Sequence, residues 1–198
     1  MTREYTANRS TGWQQWSATT LWICLLVAGA LGFLAVGWEM GPQPLFLLGV
    51  TGGLLAVSTI VGWLISRTAD GQPITLATMI TLSRGAALAV FSGFLVVGPP
   101  TGPFEWIPAM LFALAAGLDF VDGRIARATD SVSELGARLD TEIDGLTVLL
   151  GTLYVVTTDL VPAVFLLVGV ARYVFVLGIA VRNRLGLAVE ALPPSQLR

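Results

Sequence analysis

The sequence predicts an all-α fold, a polytopic transmembrane helical bundle of about six spans with both termini cytoplasmic. Three observations predict it. The 198 residues are 55% apolar and only 12% charged, with a mean hydropathy of +0.78. The few charges leave long apolar intervals, and the arginines fall on alternate connections. A soluble domain carries about 25% charged residues, so soluble globular, disordered and fibrous classes are excluded.

The intervals place the elements. From Leu21 to Ser66 the one carboxylate or guanidinium is Glu39; from Gly85 to Leu118 it is Glu105, and from Gly145 to Ala171 it is Asp159. A spanning helix needs about 20 mostly apolar residues. Six are therefore expected, over roughly 21–38, 45–66, 75–97, 105–122, 135–158 and 161–182. Turn-like breaks separate them: Trp38-Glu39-Met40-Gly41-Pro42, Asp70-Gly71-Gln72-Pro73, Pro99-Pro100-Thr101-Gly102-Pro103, and Thr158-Asp159 before Pro162. The polar first 20 residues lack the short basic start of a signal peptide, so the first span reads as a retained helix. Ala28 and Gly32 in the first span, and Gly49 and Gly53 in the second, have small-xxx-small spacing. That spacing suits close helix packing, or an ordinary glycine-rich membrane helix.

With a cytoplasmic N-terminus, the alternation puts Arg3, Arg9, Arg67, Arg124, Arg127, Arg182, Arg184 and Arg198 inside. The opposite connections carry only Glu39, Glu105 and Asp159. This is the positive-inside pattern, and Trp38, Trp63 and Trp106 near span ends suit interfacial positions.

Composition also limits the chemistry. The 11 basic residues are all arginine, and there is no His. A histidine base, a Schiff-base lysine and a His-metal site are excluded. The single Cys24 forbids an intrachain disulfide and a Cys-cluster metal site, and reads as a packing residue. A net charge of −2 gives no case for nucleic acid. Carboxylates, arginines, hydroxyls and backbone remain.

The carboxylates concentrate where the fourth and fifth spans meet. Asp119 and Asp122 are three apart and share a helix face; Asp140 and Asp144 are four apart, with Gly136 one turn earlier on the same stripe. Ser131 or Ser133 suits the cap of the fifth helix, and Ser131 with Glu134 fits a capping box. A carboxylate in a spanning helix costs about 2.5–3.5 kcal/mol at its centre, and like charges in one pocket repel. Divalent cations answer both problems, and Mg²⁺, Mn²⁺ or Ca²⁺ prefer oxygen ligands. Asp130, Glu134 and Glu142 read instead as a solvated stretch paired with Arg124, Arg127 and Arg138.

These residues carry a family resemblance. Asp119-x-x-Asp122-Gly123-x-x-Ala126-Arg127, eight residues, then Gly136-x-x-x-Asp140-x-x-x-Asp144, resembles the signature of the CDP-alcohol phosphotransferases. Thr81-Leu-Ser-Arg84 resembles a T-x-x-R element common in that family. The resemblance covers roughly residues 73–198 as the core and leaves 1–72, with two spans, as an N-terminal extension. It implies an integral membrane enzyme that moves a phosphatidyl-type group from a CDP-linked lipid to a small alcohol, releasing CMP, in phospholipid biosynthesis. It implies Mg²⁺ or Mn²⁺, as a two-metal site, on Asp119, Asp122, Asp140 and Asp144, with Asp144 also the catalytic base. Asp119, Asp122, Gly123, Ala126, Arg127, Gly136 and Asp140 would bind the nucleotide. It further implies a site on the cytoplasmic side of the cytoplasmic membrane, contact with membrane lipid, and a homodimer.

Arg84 and Arg172 lie within spans, where neither faces lipid cheaply. Arg84 either pairs with the acidic cluster or contacts substrate phosphate. Arg172 has no carboxylate in its own helix and is a candidate for an anionic acceptor, which favours a phosphorylated alcohol. In the family two further helices follow the core, whereas this chain reaches Leu192-Pro-Pro-Ser-Gln-Leu-Arg198 after the sixth span. Either the core is C-terminally truncated or the added helices stand at the front. Two rival functions are a carboxylate-lined cation transporter and a catalytically inactive scaffold of the same fold. A transporter needs a polar path, and Gly145 to Val156 offers only Thr147, Thr152 and Tyr154.

Overall fold

The structure, a computed structural model, describes residues 2–38, 43–68, 74–128 and 133–185. Side chains are described for all of these except 2–11, 122, 123, 125–128 and 183. Six helices form the described chain: α1 (Thr2–Gly37), α2 (Pro44–Arg67), α3 (Leu76–Val97), α4 (Ile107–Ala128), α5 (Glu134–Thr157) and α6 (Leu166–Arg184). Short 3-10 turns at Gly102–Phe104 and Ala163–Phe165 precede α4 and α6. No strand occurs among the described residues.

α3 is the central strut and touches α1, α2, α4 and α5, while α6 packs on α5. Side-chain contacts give the directions. Gly12 lies against Ile65 and Trp16 donates its indole N–H to the Ser58 carbonyl, so α1 and α2 run antiparallel. Gly49 lies against Ser92 and Gly93, and Gly85 against Val57, so α2 and α3 do too. Arg84 meets Ala115 and Phe91 meets Phe112, so α4 is antiparallel to α3. Glu142 meets Arg172 and Thr152 meets Gly169, so α6 is antiparallel to α5. Arg67, Arg124, Arg138, Arg182 and Arg184 therefore share one end of the bundle, and Glu105 and Asp159 lie toward the other.

The close approach of α2 to α3 follows from missing side chains. A Cβ on Gly53 would lie 2.7 Å from Ser92 Oγ and 2.9 Å from Ala89 Cα. One on Gly49 would lie 2.6 Å from the Ser92 carbonyl oxygen. The small-residue pair of the second span thus does pack a helix tightly. Gly32 in the first span has nothing within 4 Å of such a Cβ and makes no such contact. Gly53→Val should overpack this seam and cost about 1–3 kcal/mol. Gly52→Val is the control, because nothing lies within 4 Å of its Cβ position. Thermal melting of both variants in detergent checks this, and equal losses would refute the seam.

Five stretches are long and apolar enough to cross a membrane: Gly12–Gly37, Pro44–Arg67, Leu76–Val97, Gly102–Val121 and Ala163–Arg182. The expected six thus become six helices of which five qualify. α5 has the length, 24 residues, or about 36 Å at 1.5 Å per residue. It fails on composition, because Glu134, Arg138, Asp140, Glu142 and Asp144 crowd its first three turns. α1 also starts far ahead of the expected Leu21. Aromatic anchors tie it down as far as its middle: Trp13 packs on Trp16, Trp16 bonds to α2, and Trp22 donates to Ser83 Oγ on α3. α6 starts later than expected, because Pro162 leads into the 3-10 turn first. Trp63 and Trp106 are well exposed near helix ends, whereas Trp38 packs on Phe46 and Phe94.

Candidate active site

The site is assembled at the arginine-rich end from α3, α4 and α5. Thr75 caps α3 by accepting the Thr78 N–H, and Ser133 caps α5 by accepting the Gly136 N–H. Ser133 is the capping serine described; Ser131 lies outside the described residues. A Cβ on Gly136 would lie 2.9 Å from Ser133 Oγ and 3.1 Å from Thr78 Oγ1. As placed, Gly136 lets the first turn of α5 lie against the first turn of α3. This parallel contact brings Asp140 and Asp144 level with Arg84, two turns into α3.

Arg84 is the largest fully buried side chain of the described residues, only 1% exposed. Its Nε donates to the Ala115 carbonyl at 3.0 Å. Nη1 donates to Asp119 Oδ1 at 3.0 Å and to Asp140 Oδ1 at 2.6 Å, and Nη2 donates to Asp144 Oδ1. Three helices are thereby tied to one guanidinium, whose planar fork can serve several acceptors at once. The structure brings Arg84 to the acidic cluster, the first of the two roles its position allows.

The three carboxylates are not buried with it. Their side chains are 38–47% exposed, so the cluster has a closed floor at Arg84 and an open solvent side. One oxygen from each of Asp119, Asp140 and Asp144 falls within 4.8 Å of the others. Ligands on opposite sides of a hard cation stand about 4–5 Å apart for bonds of 2.0–2.6 Å. The spacing and the all-oxygen donor set therefore fit Mg²⁺ or Mn²⁺. Asp122, Gly123, Ala126 and Arg127 belong to α4 by their backbone, but their side chains lie outside those described.

The back of α5 holds a pair that the sequence pattern does not reveal. Arg172 donates from Nη2 to Glu142 Oε1 at 2.9 Å, both side chains about 30% exposed. The sequence pattern groups Glu142 with a solvated stretch paired with Arg124, Arg127 and Arg138. Two residues beyond Asp140, it points about 200° round the helix, toward α6 instead. Arg138 pairs with Glu134 one turn earlier on the exposed surface. Arg172 thus finds in the neighbouring helix the carboxylate its own helix lacks.

A bundle of long apolar helices that gathers carboxylates around one buried guanidinium at one end is an integral membrane protein with a polar, cation-suited site. Comparison with known proteins narrows the class. The chain belongs to the CDP-alcohol phosphatidyltransferase family, whose sequence pattern matches residues 74–194. It is similar to the CDP-diacylglycerol–glycerol-3-phosphate 3-phosphatidyltransferase of Bacillus subtilis (strain 168), 32% identical over 119 residues. That match covers 52% of this chain and 59% of the relative, so the chain spans about three-fifths of the relative's length. No solved structure matches at a significant level.

Proposed function

We propose that this chain transfers a phosphatidyl-type group from a CDP-linked lipid to an alcohol and releases CMP, with glycerol 3-phosphate as the acceptor. The observation that carries the reading is the convergence of Asp119, Asp140 and Asp144 on the open side of Arg84. The family match supports the reaction class, and the name of the Bacillus relative supports the acceptor. The arginine-rich end, with the site in it, is read as cytoplasmic under the positive-inside rule.

In this reading Asp119, Asp122, Asp140 and Asp144 hold Mg²⁺ or Mn²⁺, as a two-metal site. Bound there, the metal neutralises the donor diphosphate and stabilises the leaving CMP oxygens. The chain's own residues position and move the proton. Asp144 accepts the proton from the acceptor hydroxyl as its oxygen bonds to the lipid-side phosphorus. The bond from that phosphorus to the bridging oxygen breaks, and its electron pair leaves with CMP. Arg84 holds three of the carboxylates in register, so little reorganisation remains at the moment of transfer. Gly123, Ala126, Arg127 and Gly136 are assigned with the aspartates to the nucleotide, and the unit is read as a homodimer.

The hydroxyls deeper in α5 favour transfer over ion transport. Thr147 and Thr152 donate back to carbonyls of their own helix, at Ile143 and at Val148 and Leu149. Those hydroxyls are spent on the helix backbone instead of lining a polar path. The test uses purified protein, CDP-diacylglycerol, Mn²⁺ and a panel of alcohols that includes glycerol 3-phosphate, serine and inositol phosphate. CMP should appear with glycerol 3-phosphate, vanish on chelation with EDTA and return with Mn²⁺. CMP release that survives chelation would overturn the metal assignment. Absence of CMP with every acceptor would overturn the transfer reading.

A further inference from the structure

We propose that Glu142 and Arg172 form a positioning pair that locks α6 onto the outer face of α5 and keeps Asp140 and Asp144 turned toward Arg84. The inference rests on the transferase reading for its kinetic arm, and it assigns Arg172 a role other than acceptor binding. Three features carry it. First, Arg172 and Glu142 are bonded at 2.9 Å across the α5–α6 seam. Second, the seam is cut to admit the arginine stem. A Cβ on Gly145 would lie 2.6 Å from both Cδ and Nε of Arg172, so a side chain there would force the arginine stem to shift. Third, α6 is otherwise weakly held: its membrane-spanning stretch is only 6% buried. Gly169, whose Cβ would meet Thr152 and the Leu149 backbone, marks its other close approach to α5.

The geometry couples this back face to the front. Glu142 stands between Asp140 and Asp144 in the chain and on the opposite side of the helix. A rotation of α5 that swings the two aspartates away from Arg84 also pulls Glu142 from Arg172. Either unpaired group would then sit in a spanning bundle, where a lone charge is expensive. The rotational setting of α5 is thereby fixed from both sides: by the Arg84 carboxylates in front and by Arg172 behind.

The experiment compares Glu142→Gln, Arg172→Gln and the exchanged double variant Glu142→Arg/Arg172→Glu in the full chain. Mn²⁺ affinity is read by EPR, and CMP release is read with varied acceptor. Each single variant should weaken Mn²⁺ binding by about 10- to 100-fold, as loss of support behind metal ligands does. Each should lower kcat with the acceptor KM within about twofold, since misplacement and not binding is at fault. The double variant should recover most of both losses. Arg172→Lys replaces Arg172→Gln if the latter does not fold, and should retain most Mn²⁺ affinity. A rise in acceptor KM for Arg172→Gln alone would overturn the proposal and make Arg172 an acceptor contact. Unchanged Mn²⁺ affinity in both single variants, or no recovery in the exchange, would overturn it too. If the native protein releases no CMP, the transferase reading fails, while the Mn²⁺ arm still decides the pair.

Discussion

Asp144→Asn is expected to lower CMP release by about 10²–10⁴-fold, the span typical of a lost general base, while the protein keeps its fold. The substitution keeps shape and removes one charge, so it separates chemistry from packing. Asp144 accepts a hydrogen bond from Arg84 Nη2, and an amide oxygen can accept the same bond. The stripe of Asp140 and Asp144 and the contact of Gly136 with Thr78 should therefore persist. Melting temperature in detergent, read beside turnover, checks both halves. Turnover within threefold of native would remove Asp144 from the base role, although it would leave the family assignment intact.

The second large effect is on stability. Arg84→Met replaces the one described guanidinium that Asp119, Asp140 and Asp144 share with an apolar chain of similar length. Removing one partner from a buried charge cluster is strongly destabilising, by about 3–5 kcal/mol, because the remaining charges are left facing each other. Carboxylates half-open to water soften this, yet Arg84 itself is 1% exposed and its Nε bond to Ala115 is lost as well. The apo variant should melt well below native. Mn²⁺ should restore more stability to it than to the native chain, since a dication supplies the missing positive charge. Arg84→Lys, which keeps charge but not the fork, should fall between. A melting curve for Arg84→Met that matches native in the absence of metal would show the guanidinium is not what holds the cluster.

Much of this site is legible in the residues alone. The spacing of Asp119 with Asp122 and of Asp140 with Asp144 announces two helix faces. α4 and α5 bring Asp119, Asp140 and Asp144 together beside α3, while the Asp122 side chain lies outside those described. Arg84 announced only that a charge in an apolar helix needs a partner. Choosing carboxylate over substrate phosphate required knowing that α3 and α5 run parallel and level, which depends on Gly136 fitting against Thr78. Glu142 with Arg172 was less legible still. That pair depends on the axial register of α5 and α6, fixed by what fits at Gly145 and Gly169, and a glycine in a membrane helix has many other reasons to be there. α5 lies at Glu134–Thr157, within a residue of the expected 135–158, although its charged first turns keep it from reading as apolar. The start of α1 is not legible, because the helix continues N-terminally through polar residues where hydropathy gives no signal.

The order of the chain gives the central strut a part in biogenesis. A polypeptide is made from its N-terminus, and early segments assemble first. α1 and α2 therefore stand in the bilayer before α3 arrives, and the small faces of Gly49 and Gly53 wait to receive it. With α3 comes Arg84, 35 residues ahead of Asp119 and 60 ahead of Asp144. Each acidic helix thus enters a membrane in which its counter-charge is already installed. Synthesised in the reverse order, the same carboxylates would gather at the membrane edge with their counter-charge still to come.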